Sequence, residues 1–182
     1  MNALADALGA LGAIPALGDA LWSPTQDTRL LRLHTPLGAS LLVPERVQVD
    51  EGIGPDGALP GHLHIELTAL SPDAQLDLGS LIGQPVLLEL QLAHGGWRPW
   101  HAHVGEFGLQ GSDGGLARYR LVLRPWLALL AHRQDSWVFQ HMSVPEIIDE
   151  VIGEHLGQGV LAPAWRLALQ DGAAYPKRSL CV

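Results

Sequence analysis

From Arg29 onward, apolar and polar positions alternate with period two, the spacing that puts one set of side chains on each face of a strand. Leu31 and Leu33 alternate with Leu30, Arg32 and His34, and Pro36-Leu37-Gly38 turns the chain. Leu41-Leu42-Val43 and Val47-Gln48-Val49 read as a strand interrupted at Pro44, which predicts an edge or a bulge there. Leu63, Ile65, Leu67 and Ala69 face one way, and His62, His64, Glu66 and Thr68 the other. Val86, Leu88, Leu90 and Leu92 alternate with Leu87, Glu89 and Gln91. Trp100 to Gln110 is strand-like, and Gly111-Ser112-Asp113-Gly114-Gly115 reads as a hairpin loop. Leu116 to Leu123 returns, with Ala117, Tyr119, Leu121 and Leu123 on one face. Strands spaced about ten residues apart and joined by Gly-rich turns predict a β-barrel or sandwich.

The period changes after Arg124-Pro125-Trp126. One short apolar turn leads through Arg133-Gln134-Asp135-Ser136 and Trp137-Val138-Phe139-Gln140 to a helix predicted over 143–156. Ser143 followed by Glu146 is a capping box, in which hydroxyl and carboxylate each satisfy a free backbone N–H of the first turn. Pro145 sits where its missing N–H costs nothing. Ile147, Ile148, Val151, Ile152 and Leu156 form one apolar stripe, and Gly157 is the expected stop. On that pattern Ile148→Asp is expected to unfold or strongly destabilise the chain. Trp165-Arg166-Leu167-Ala168-Leu169 reads as a further strand. Residues 1–28, small and apolar and broken by glycine and proline, read as an N-terminal arm.

Composition narrows the function classes. With 47% hydrophobic residues there is enough apolar material for a packed core. The formal charge of −8 argues against nucleic acid, since phosphate binding needs clustered cations, and of the 11 Lys and Arg residues only Lys177 is a lysine. No apolar run reaches the roughly 20 residues of a membrane helix. Asp6 and Asp19 are the charges near the start, so the segment lacks the positive start of a signal peptide. Cys181 is alone and forms no internal disulfide.

Candidate chemistry is thin. His62 and His64 with Glu66, and His101 with His103, each share one strand face, but the strand 84–92 lies between the two sets in sequence, and an up-and-down order would keep them apart. The spacing lacks a closed ligand set, so no metal is expected. Ser112 lies in G-S-D-G-G and has no adjacent base, so no nucleophile is assigned. Gly52-x-Gly54-x-x-Gly57 follows a strand but precedes no helix, so it is not a dinucleotide site. Asp149, Glu150 and Glu154 read as the solvated face of the helix, and Arg133 with Asp135 as an exposed pair. Trp97, Trp100, Trp126 and Trp137 could stack on sugars, but read more simply as core or subunit-interface anchors. No catalytic residue, cofactor-binding residue or metal ligand is assigned.

One long ordered string carries a resemblance: Leu123, Pro125, Trp126, Leu127, Leu130, Arg133, Ser136, Val138, Phe139, Gln140, Ser143, Glu146, Ile147 and Ile148. It resembles the N-terminal part of VgrG proteins, the spike proteins of type VI secretion systems, and is similar to the central hub proteins of contractile phage tails. The resemblance implies a mainly β fold with one or two helices: a barrel-like antiparallel hub domain over 29–125, and a helix-containing segment with the start of a second β domain over 126–182. Tyr175-Pro176-Lys177-Arg178 fits the approach to a further strand of the family, so a truncated second domain is expected. It further implies a non-enzymatic, cofactor-free homotrimer. Its partners would be inner-tube and baseplate proteins of a contractile apparatus and an effector. It would be made in the cytoplasm and exported by the apparatus without a signal peptide. A carbohydrate-binding β-module, resting on the tryptophans, and a metal-dependent hydrolase, resting on the histidines, stand as alternatives.

Overall fold

The structure, a computed structural model, describes residues 25–52, 62–112 and 115–182. The expected N-terminal arm lies outside the described residues up to position 24. Just after it, Gln26 is buried and clamps the first strand from the side. Its amide N–H donates to the Leu33 carbonyl at 3.0 Å, and its oxygen accepts the Leu33 N–H at 2.6 Å.

Among the described residues, six strands form one antiparallel sheet: β1 (Leu31–His34), β2 (Val43–Gly52), β3 (His62–Ser71), β4 (Pro85–Gln91), β5 (Trp97–Ser112) and β6 (Ala117–Arg124). The spatial order is β1-β4-β5-β6-β3-β2. This corrects the up-and-down expectation: β4 crosses to pair with β1, and β3 pairs with β6. The crossing loop is fixed from the core, because the Tyr119 hydroxyl donates to the Asp73 carbonyl at 3.0 Å and accepts the Leu76 N–H at 3.2 Å. The sheet curls until its edge strands β1 and β2 approach each other, giving a half-barrel. Bulges supply curvature by adding an unpaired residue to one strand. One follows Pro44 in β2, as the proline predicts, and two lie in the long β5, between Val104 and Glu106 and between Leu109 and Gly111.

The alternation of the sequence maps directly onto inside and outside. Ile65, Leu67 and Ala69 of β3 and Ala117, Tyr119, Leu121 and Leu123 of β6 are buried in one cluster with Leu33, Leu88, Trp100, Val104 and Phe107. Phe107 stacks on Tyr119 with ring centroids 5.2 Å apart. At one mouth of the half-barrel an Arg98–Glu51 ion pair joins β5 to β2, strands that are not neighbours in the sheet. On the outer face Arg120 bridges Glu66 at 3.1 Å and Glu106 at 2.8 Å.

After β6 the chain makes 3₁₀ turns over Trp126–His132 and then one α-helix, α1 (Val144–Gly153). The predicted capping box is present in both directions. The helix ends earlier than predicted. Gly153 is a poor helix former, and Leu156, expected on the apolar stripe, is 59% exposed. Of that stripe only Ile152 is fully buried, and Ile148 is 36% exposed, so the expectation that Ile148→Asp unfolds the chain is corrected to a mild effect. The strand expected at 165–169 does not form: the segment has no ladder partner among the described residues.

Candidate assembly surface

The half-barrel buries most of its apolar residues in one core, although Leu30, Leu78, Ile82 and Leu109 are exposed, whereas the segment from Trp126 to Val182 buries few of its own. In that segment Leu127, Val138, Leu156, Val160 and Leu180 are each more than half exposed, while Ile152 and His155 are buried. An apolar surface concentrated in one part of the molecule marks a binding face more often than a free one.

The segment is held in shape by a few polar clasps. The Trp126 indole N–H donates to the Leu161 carbonyl at 2.6 Å, and the ring meets the His155 ring edge-on at 5.5 Å. The Arg133 guanidinium donates to Asp135 and Glu154, both at 2.8 Å, and to Nε2 of the buried His155 at 3.2 Å. The Asp135 carboxyl sits below its ordinary range because it accepts from the Trp137 indole, from Arg133 and from the Ser136 N–H. Trp137 in turn lies 5.3 Å from Phe139. At the far end, the backbones of Phe139 and Cys181 exchange two hydrogen bonds of 2.9 Å, and the Arg178 N–H donates to the Met142 carbonyl at 3.0 Å. Lys177 reaches Glu146 at 3.1 Å, joining this tail to the first turn of α1. The Glu146 carboxyl, bonded to the N–H and hydroxyl of Ser143 and to Lys177, is lowered from 4.5 to about 2. Exposed pairs of this kind contribute only about 0–1 kcal/mol each, so they shape the surface more than they stabilise it.

Among the described residues, the side chains considered for chemistry from the sequence lie in separate places. β6 separates β3 from β5, so His64 and His101 stay apart: His64 contacts Glu66 at 3.3 Å, and His101 lies near His34 and Pro85. His62 and His103, however, reach the same cavity, which strand order alone determines and which no local motif signals. Among the described residues no group of three or more His, Cys, Asp or Glu side chains is placed to hold a metal ion. Asp149 and Glu150 on α1 and Glu154 at its C-cap are exposed, as the helical pattern predicts. Of the Gly52, Gly54, Gly57 pattern only Gly52, at the end of β2, falls among the described residues. Ser112 ends β5, and the tip of the hairpin after it lies outside the described residues.

Trp97, Trp100, Trp126 and Trp137 do not form one flat sugar platform. Trp100 faces the core, Trp97 lies under the Arg32 guanidinium at 4.1 Å, and Trp126 and Trp137 are engaged within the C-terminal segment. Among the described residues no helix is long and apolar enough to cross a membrane.

Residues 57–182 match the family described as Phage tail baseplate hub (GPD). The chain is 38% identical over 126 residues to Type VI secretion system spike protein VgrG1b of Pseudomonas aeruginosa, covering 69% of this chain and 16% of that protein. It is 37% identical over 151 residues to VgrG1c of the same organism, covering 80% of this chain and 20% of that one. The chain therefore spans about a fifth or less of these relatives' length. Among solved structures it is similar to the E. coli c3393 protein, described as a component of the type VI secretion system with structural similarity to the T4 bacteriophage tail proteins gp27 and gp5. The TM-score is 0.64 at 20% identity, with 82% of this chain and 38% of that chain covered. That likeness shows the fold: mainly β, with the architecture of the phage tail hub.

Proposed function

The chain belongs to the phage tail baseplate hub family, and on that premise we propose that it is hub material of a type VI secretion spike, a structural part with no enzymatic role. The half-barrel over 29–125 forms part of a ring that caps the inner tube of a contractile apparatus. Residues 1–28 serve as an arm, and residues 126–182 lead from the ring into a second β module. Three copies assemble around the tube axis, contacting inner-tube and baseplate proteins, and the assembly carries an effector when driven into a target cell. Export then follows the apparatus and needs no signal peptide. The single observation that carries this reading is the contrast between a half-barrel with one packed core and an apolar surface concentrated after Trp126.

The test is genetic and direct. Removing this hub sequence from a bacterium that carries it should abolish contraction-dependent release of the inner-tube protein into the medium. Restoring it should recover release. Undiminished release without it would defeat the proposal.

A further inference from the structure

Where β3, β6 and β5 approach the turn at Pro125, an open cavity of about 630 Å³ is lined by the ends of these strands and by the 3₁₀ turns. Leu63 and Leu127 give it an apolar lining, and His62, His103, Arg124, His132 and Glu106 give it a polar one. The volume falls in the range of about 300–1,000 Å³ typical of binding sites.

The polar lining is unevenly satisfied. The Glu106 carboxylate is already bonded to Arg120 at 2.8 Å, so its charge is compensated. His62 stands 3.7 Å from Asp50. Both ring nitrogens of His103 are buried and have no hydrogen-bond partner among the described residues. A neutral imidazole always carries one N–H, and a buried donor left unbonded costs free energy that a ligand's acceptor would return. Among the described residues no carboxylate pairs with Arg124 or His132. In a chain of net charge −8 this cavity holds one carboxylate, already bonded to Arg120, beside Arg124 and three imidazoles.

We infer that this cavity docks a segment of a partner protein in which a carboxylate stands next to an apolar side chain. The carboxylate accepts from Arg124 and from the His103 N–H, and the apolar side chain covers Leu63 and Leu127. Leu127 at the cavity is 56% exposed, and a small free anion would leave it so, which favours a protein segment. One arginine is too little for a nucleic-acid backbone, which needs clustered cations. The inference rests on the cavity alone and stands or falls apart from the hub reading.

The full chain is titrated with three probes while the ring resonances of His62, His103 and His132 are followed by NMR. The probes are an acetylated, amidated Leu-Glu-Leu tripeptide, its Leu-Gln-Leu counterpart, and acetate. The acidic tripeptide should shift the His103 ring and bind about tenfold more tightly than the neutral one, the factor that about 1.4 kcal/mol corresponds to. Acetate should bind far more weakly than the acidic tripeptide. In Arg124→Gln the preference for the acidic tripeptide should shrink while the core resonances stay in place. Equal binding of the two tripeptides, acetate binding as tightly as the acidic one, or no shift at these rings would each overturn the inference. The first comparison uses the unaltered chain, so it holds even if the variant misfolds.

Discussion

Ser143 and Glu146 show how two side chains decide where an element begins. The Ser143 N–H donates to the Glu146 carboxylate at 2.7 Å, and its hydroxyl donates to the same oxygen at 2.9 Å. The Glu146 N–H faces that hydroxyl at 3.5 Å. Ser143→Ala removes the hydroxyl and should lower stability by about 0.5–2 kcal/mol, measured as a shift in the urea midpoint. The pH consequence has a definite sign. Glu146 titrates lower in the folded chain than its ordinary 4.5, so its contribution is complete above about pH 4.5 and is lost as pH falls toward about 2. Carbon-detected NMR of the Glu146 carboxyl should show that low midpoint, rising toward the ordinary value in Ser143→Ala. A midpoint already at the ordinary value would contradict the cap geometry. Ile152 and Ile148 divide in the same way by burial. Ile152→Ala should cost about 2–5 kcal/mol if its site cannot collapse, the general range for buried large-to-small changes. Ile148→Asp, at a site 36% exposed, should cost about 1 kcal/mol or less, as thermal melts would show.

At the scale of elements, what was legible was local. β3 and β6 alternate so strictly that their inner faces could be named from spacing, and the helix start could be read from Ser143, Pro145 and Glu146. Pro44 announced the bulge in β2. The strand order was not legible, because the loop after β3 is fixed by Tyr119, a residue distant in sequence whose hydroxyl holds Asp73 and Leu76. The cavity was hidden for the same reason: His62 and His103 line it from β3 and β5, both paired with β6, an order that no local motif announces. The strand expected at 165–169 had the right composition, but a strand exists only with a partner, and none lies beside it. Hydrogen exchange should separate these cases. Amides of β3, β5 and β6 inside the ladder should exchange slowest, and those of 165–169 should exchange as freely as a loop. Protection of 165–169 equal to that of β6 would mean that another chain already covers it.

At the scale of the whole molecule, the half-barrel and the segment after it play different parts. The half-barrel packs most of its apolar residues into one core, with an Arg98–Glu51 ion pair joining β5 to β2, and leaves Leu30, Leu78, Ile82 and Leu109 exposed. The C-terminal segment is clasped by Arg133, Trp126 and two isolated bridges, and leaves its leucines and valines on the surface. In the proposed assembly this surface would be the one covered, and obligate interfaces commonly exceed about 2,000 Å². Ile148→Asp, mild in the isolated chain, is therefore expected to block assembly, which light scattering on the two proteins side by side would detect. The central claim of the proposed function is that three of these half-barrels ring the axis of a contractile tube. Cryo-electron microscopy of isolated baseplate–spike particles from a bacterium carrying this sequence tests it most directly. The expected map has three copies of the six-stranded half-barrel around the axis, seated on the end of the inner tube, with the 126–182 segments facing one another or the next module. A map with the half-barrel absent, or present as one copy away from the axis, would contradict it.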